Sequence, residues 1–266
     1  MVIVTSLSPR PNEEKRQRAA LATWQTAGFR PISLSLASEM EQIRSLYSDL
    51  ADVQPAETPS VKGASRPRVA LADLIERSFE RNQGEVGIVM NADLLLHPLA
   101  KQRLPAQPHG VTMLPRWQIN HVGGEEAAEI DPWGYDGVLL GPELRGVFKN
   151  RSFGLGLPWW DYWIPFRALY LGHAIQVSPL PIAFHVRHDT RWSEEDRAEL
   201  AGEVWREAGV PPWKRIFLRH FGPRHLRKIY GYHNHLAGHI RSTIQSHLVP
   251  ETHALPRQPS PCAGKT

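Results

Sequence analysis

Residues 86–96, VGIVMNADLLL, constrain the fold more than any other part of the chain. The run 86–90 is apolar at every position, so it lacks the polar alternation of a strand with one wet face. Such a strand is buried on both sides, as in a parallel sheet with helices above and below. Residues 1–6, MVIVTS, read the same way. The first apolar run stops at Asn91-Ala92-Asp93, a polar step at the C-terminal mouth of the strand, where open α/β sheets bind ligands.

Between these runs the apolar residues adopt a helical period. Residues 13–27 read as a helix with Asn12 as its cap, Glu13 and Glu14 in its first turn and Gly28 as its stop. Residues 31–36 form a second strand, and a helix after Ser38 carries Met40, Ile43, Leu46, Tyr47 and Leu50 on one face. Residues 51–68 hold three prolines and little periodicity and read as a loop. A third helix spans about 67–81, with Leu71, Leu74, Ile75 and Phe79 as its stripe. This order gives an α/β class, with a mixed, mostly parallel sheet covered by helices on both faces. Shorter strand candidates follow at 110–116, 135–140, 174–177 and 182–185, and a polar helix capped by Ser193 runs to Gly209.

At 266 residues, with 41% hydrophobic and 22% charged side chains, the chain suits one domain with a C-terminal extension. The formal charge of +4 favours acidic partners such as phosphates, nucleotides or anionic surfaces. Cys262 is the single cysteine, which fits a reducing compartment. No basic leader with a long apolar run opens the chain and no stretch approaches the ~20 apolar residues of a spanning helix. A soluble, cytoplasmic protein is expected, at most peripheral at the inner face of a membrane. Residues 213–232 interleave Lys214, Arg215, Arg219, Arg224, Arg227 and Lys228 with apolar side chains. That pattern suits an anionic membrane or an acidic partner, and equally a solvated helix face or an oligomer contact. His235 and His239 have helical metal spacing without a nearby acid and read as polar surface. The tail 251–266 is expected to be disordered.

Three constellations carry candidate chemistry. Thr5, Ser6 and Arg10 follow the first strand into the ligand crevice, or else cap the strand end. No GxGxxG or GxxxxGK[ST] accompanies them, so phosphates would be held by a metal or by basic side chains such as Lys62, Arg66 and Arg68. Asn91 and Asp93, one residue apart, point to one side and can share a hard cation, although Asp93 capping a turn explains the same residues. Asp161 lies among Trp159, Trp160, Tyr162 and Trp163, just after Pro158. It is either a helix-start carboxylate in packed aromatics or a desolvated general base beside a sugar. Pro165 is expected to kink or break that helix. His185 and His188 are late metal-ligand candidates, with a structural role as the alternative.

Taken in order, TSLSPR at 5–10, VMNADLLL at 89–96, GYDGVLL at 134–140, FGLGLPWWDYW at 153–163 and AFHVRHDTRW at 183–192 resemble the GT-A class of nucleotide-sugar-dependent glycosyltransferases. The resemblance implies a GT-A-like, Rossmann-type core over 1–192, followed by a basic helical extension at 193–250. It places Thr5, Ser6, Arg10, Arg66, Asn91 and Asp93 at a nucleotide-sugar donor, and Asp93 with His185 on a divalent Mn or Mg ion. It places Trp159, Trp160 and Asp136 at the acceptor, a glycan or lipid-linked glycan, and Asp161 as the base of an inverting transfer. Asn91 stands where the family carries its first acidic residue. A catalytically inactive carbohydrate-binding protein and a nucleotidyltransferase are the alternatives on the same fold; nucleic acid is not an expected partner.

Overall fold

The structure, a computed structural model, describes residues 1–57, 68–178, 180–188 and 193–207. Lys62, Arg66, the basic stretch 213–232, His235, His239, Cys262 and the tail 251–266 lie outside the described residues.

The chain begins β1 (Val2–Thr5), α1 (Pro11–Thr26), β2 (Arg30–Ser35), α2 (Met40–Tyr47), β3 (Asp52–Pro55), α3 (Leu71–Arg81), β4 (Gly87–Met90). It continues β5 (Leu94–Leu96), α4 (Ala100–Arg103), β6 (Val111–Ile119), β7 (Glu129–Leu140), α5 (Trp160–Tyr170), β8 (Ile175–Val177), β9 (Ala183–Val186), α6 (Glu194–Glu207). All nine strands join one sheet in the order β3-β2-β1-β4-β7-β6-β9-β5, with β8 beside the first half of β6. Pairing is parallel from β3 through β4, antiparallel where β7 enters, and parallel again between β6 and β9.

The apolar runs explain this sheet. Val2 and Val4 of β1, Val89 of β4, and Val138 and Leu140 of β7 fall in one core with α3, α5 and α6. Their alternates Ile3, Ile88, Met90 and Leu139 fall in a second core with α1 and α2. Period-two packing with both faces apolar makes the sheet a filling between two helical layers. At roughly 25 cal/mol per Å² of apolar surface, burying both faces is the main term holding the domain together.

Several local expectations are corrected. The first helix begins at Pro11, with Arg10 as its N-cap and not Asn12, because proline's fixed φ and missing N–H suit the first helical position. The stretch read as a loop contains β3, a short edge strand in parallel register with β2; its Pro55 is tolerated because its pairing ends there. The third helix starts at Leu71, with Ala70 as its N-cap. The α5 helix continues through Pro165 to Tyr170, since Trp163, Ile164 and Ala168 are buried in the core and hold it there. Ser193 caps α6 as expected: its Oγ accepts from the Asp196 amide at 3.1 Å and its own amide donates to Asp196 Oδ2 at 3.2 Å. Leu200, Ala201 and Val204 of α6 are buried in the same core as α5.

Gly110 enters β6 with φ +67° and carries a hydrogen atom where a Cβ would lie 1.9 Å from the carbonyl oxygen of Ala174. That carbonyl accepts from the Val111 amide at 2.9 Å, so it cannot retreat without breaking the pairing. Gly110→Ala is expected to cost about 3 kcal/mol or more in urea unfolding, through clash and left-handed strain together. Gly172→Ala, at φ +81° with nothing within 4 Å, should cost only about 1 kcal/mol. Equal costs would show that the clash is absent.

Candidate active site

The C-terminal ends of β1, β4, β6 and β9 reach the same edge of the sheet, and the antiparallel β7 begins there. A cleft of about 880 Å³ opens over this edge, where doubly covered α/β sheets bind their ligands.

One part of its lining is a trio of side chains that could hold a metal ion. The step 91–93 is a tight turn closed by the Leu94 amide donating to the Asn91 carbonyl at 3.2 Å. It separates β4 from β5, and β5 then pairs antiparallel with β9 so that Leu94 faces His185. Asp93 is thereby delivered to β9: its Oδ2 lies 3.7 Å from His185 Nε2 and 3.1 Å from His188 Nε2. Two supports fix this corner from behind. Trp24 Nε1 of α1 donates to the Leu94 carbonyl at 2.6 Å, and the Thr5 hydroxyl donates to the Met90 carbonyl at 2.7 Å. Burial would raise the Asp93 carboxyl, but hydrogen bonds from His185 and His188 outweigh it and hold the group well below the usual carboxylate range. Asp93, His185 and His188 offer three ligand atoms within 4.8 Å of one another. A carboxylate and two imidazoles suit Mn²⁺ or Zn²⁺ better than Mg²⁺, which prefers an all-oxygen shell. Gln118 Oε1 stands 3.3 Å from His185 Nδ1. Turned over, the amide donates to Nδ1 and its oxygen accepts from Arg116 Nε at 3.1 Å.

The floor is a charge network built by an irregularity in the β6–β7 ladder. Leu114 pairs with Gly137, Pro115 with Tyr135 and Arg116 with Asp131. Pro115 lacks the donor a regular ladder needs, so the pairing slips on both sides of it and β7 accumulates extra residues. The slip brings two acids of β7 to one guanidinium. Arg116 donates from Nη2 to Asp131 Oδ2 at 2.8 Å and from Nη1 to Asp136 Oδ2 at 3.2 Å. Gly134 makes room, since a Cβ there would lie 2.4 Å from Arg116 Nε. Burial would lower the Arg116 guanidinium, yet Asp136, Asp131 and Asp161 together raise it. Asn91 does not turn to the trio. Its Nδ2 donates to Asp136 Oδ1 at 2.9 Å.

Asp161 also lines the cleft, from the first turn of α5. Burial pushes its carboxyl up to about 7, the nearby Asp136 charge adds to the rise, and Arg116 opposes it. Its carboxylate accepts from its own amide and from that of Tyr135. The residue before the helix, Trp159, has φ +73°. A left-handed conformation is costly for a non-glycine residue and is retained only where the surroundings enforce it. Here Trp159 Nε1 donates to the Arg197 carbonyl of α6 at 2.9 Å, and the Arg197 guanidinium lies 5.9 Å from the ring.

Of the residues expected to bind a donor, Ser6, Arg10, Asn91 and Asp93 line the cleft, as does Arg68. Thr5 does not; it is fully buried and its hydroxyl is committed to Met90. Arg66 lies outside the described residues. The aromatic box is mainly core. Trp163 stacks on Phe153 at 4.5 Å, and Trp159 and Trp160 keep 5% and 2% exposure. Both nevertheless line the cleft. Arg116, Gln118 and Asp131 were missed by sequence reasoning. Their signal was an opposite-charge pair across neighbouring strands, invisible until the slipped register is known.

No family model matches the sequence, and no curated protein matches it. The chain is similar to the crystal structure of glucosyl-3-phosphoglycerate synthase from M. tuberculosis, at 15% identity and a TM-score of 0.45 over 79% of this chain and 80% of that one. The same enzyme in complex with phosphoglyceric acid gives 15% identity and 0.43 over 79% and 80%. HddC from Yersinia pseudotuberculosis complexed with GMP-PN gives 12% and 0.37 over 74% of this chain and 95% of that one. Identities and scores are low throughout, and the chemistry of the cleft is read from its own side chains.

Two outcomes are expected from this geometry. Mn²⁺ at roughly 100 times its dissociation constant should raise the melting temperature by about 5 °C or more, and His188→Ala, a change on an exposed loop, should abolish the rise. A rise retained in that variant would remove His188 from the site. Asp161 gives a pH signature. Its folded value of about 7 exceeds its ordinary 3.8, so between these limits the folded chain holds a proton that the unfolded chain has released. Stability therefore falls as pH rises through that window and is level above it. Asp161→Asn removes this penalty and should stabilise the chain on the order of 2–4 kcal/mol at pH 8, with no gain near pH 4. A gain independent of pH would show that Asp161 is not held protonated.

Proposed function

We propose that the protein is a glycosyltransferase that moves a sugar from a nucleoside-diphosphate sugar to a hydroxyl of a glycan or lipid-linked acceptor, with inversion at the anomeric carbon. One observation carries the reading. Three side chains that could hold a cation and a separate carboxyl that burial pushes up to about 7 line the same cleft, a pair of devices that transfer from a diphosphate to a hydroxyl can use. A divalent ion held by Asp93, His185 and His188 would neutralise the charge developing on the leaving diphosphate.

The chain's own residues supply the rest. Ser6, Arg10 and Arg68 line the donor side, where hydroxyl and guanidinium groups suit ribose and phosphate oxygens. Asp161 accepts the proton of the acceptor hydroxyl as its oxygen attacks. A base with pKa near 7 is half ionised at neutral pH and yet strong enough to take the proton as the bond forms.

Calorimetric titration with a panel of nucleoside-diphosphate sugars, with and without Mn²⁺, tests the donor site. At least one donor should bind, more tightly with the ion; no binding by any would overturn the assignment. With the donor found, transfer should rise with pH and reach half its maximum near 7, and Asp161→Asn should lower kcat by about 100-fold or more while donor affinity stays. Donor binding without turnover in the native chain would favour a carbohydrate-binding protein on the same fold.

A further inference from the structure

Asp136 has an environment that neither the cation trio nor the donor side explains. It occupies the slipped part of β7 and is 5% exposed. One of its oxygens accepts from Asn91 at 2.9 Å and the other from Arg116 at 3.2 Å. Its neighbour Tyr135 donates its amide to the Asp161 carboxylate, and the Tyr135 ring meets Tyr162 of α5 edge to face at 6.3 Å. Consecutive residues of β7 thus seat Asp161 and set a second carboxylate beside it.

We propose that Asp136 is a positioning residue for proton transfer: clamped by Asn91 and Arg116, it fixes beside Asp161 the negative charge that strengthens Asp161 as a base. The proposal rests on the transferase reading for its chemistry and on the clamp for its geometry. In the step itself, the acceptor oxygen forms a bond to the anomeric carbon and the bond from that carbon to the diphosphate oxygen breaks. The diphosphate leaves with the electron pair, and the acceptor's proton passes to Asp161. A second carboxylate close by disfavours ionisation of the first and so raises its proton affinity. Arg116 works against the effect while keeping Asp136 in place. The charged groups sharing the cleft with Asp161 include Asp131 and Asp136 of β7, Arg116 of β6, Arg197 of α6 and Arg68 ahead of α3, and farther along its lining Arg10, Glu13, Glu39, Asp93, Glu129, His185, Arg187 and His188. Asp136 raises its proton affinity and Arg116 lowers it.

The clamp also explains residue 91. An aspartate there would set a carboxylate oxygen about 2.9 Å from Asp136 Oδ1, where Asn91 now donates. The Asn91 amide holds Asp136, and the side chains that could hold an ion are Asp93, His185 and His188.

The test uses the full chain and its Asp161→Asn variant, each with and without Asp136→Asn. The stability difference between Asp161 and its replacement is followed against pH, together with the pH–rate profile of transfer. With Asp136 intact the difference should level off near pH 7. In Asp136→Asn it should level off at least about one unit lower, with the rate midpoint falling alongside. A levelling-off point that does not move, in a chain that still transfers sugar, overturns the proposal and leaves the transferase standing. A point that moves in a chain that turns over no nucleotide sugar upholds the coupling and overturns the transferase. Should Asp136→Asn fail to fold, Asn91→Ala carries the test by removing the uncharged arm of the clamp: the point should fall, and an unmoved point overturns the proposal.

Discussion

The cleft depends on one guanidinium. Arg116 joins Asp131 and Asp136 directly and acts through space on Asp161, so three carboxylates gather around a single positive charge. Without it they would repel one another across a partly buried site, and removing one partner of such a network typically costs about 3–5 kcal/mol. The charge balance leaves an excess of negative charge beside Asp161. Arg116 compensates enough of it to keep β7 folded against β6, and leaves enough to press on Asp161.

The geometry of that guanidinium follows from a defect. Pro115 interrupts the β6–β7 ladder, and the slip it causes turns Asp131 and Asp136 toward the same side chain. Gly134 clears the space beneath. On the other side of the cleft, the antiparallel pairing of β5 with β9 brings Asp93 to His185 across more than 90 residues of chain. Both devices are backbone registers, and each places side chains whose chemistry would be ordinary elsewhere.

Much of this was legible in the chain itself. The unalternating runs at 1–6 and 86–90 carried the buried strands because a strand covered on both faces leaves no polar period to misread. The stripe of Leu71, Leu74, Ile75 and Phe79 identified α3. The capping box at Ser193 was readable because its partners lie three residues apart. Asp93, Asp161, His185 and His188 stood out as chemically suitable residues, and all line the cleft. What escaped depends on distant pairing. β3 is a short edge strand with two polar residues, stabilised by its register with β2 and not by its own pattern. The aromatic box read either as a packed cluster or as neighbours of a sugar, because a sequence does not show which way α5 turns its rings; they are buried, and Trp159 and Trp160 also line the cleft. Asn91 read as a weakened metal ligand, when its amide is the donor that Asp136 requires.

The described residues contain no helix long and apolar enough to cross a membrane. The central claim is that Asp93, His185 and His188 hold a cation against a donor diphosphate in the cleft that Asp161 faces. A crystal structure of the protein soaked with a nucleoside diphosphate and Mn²⁺ tests it most directly, because the anomalous signal locates the ion. The expected result is a single strong peak between the Asp93 carboxylate and the two histidine Nε2 atoms, with diphosphate oxygens completing its shell and Asp161 across the cleft. A nucleotide bound elsewhere, or an ion bound away from these three residues, would contradict it.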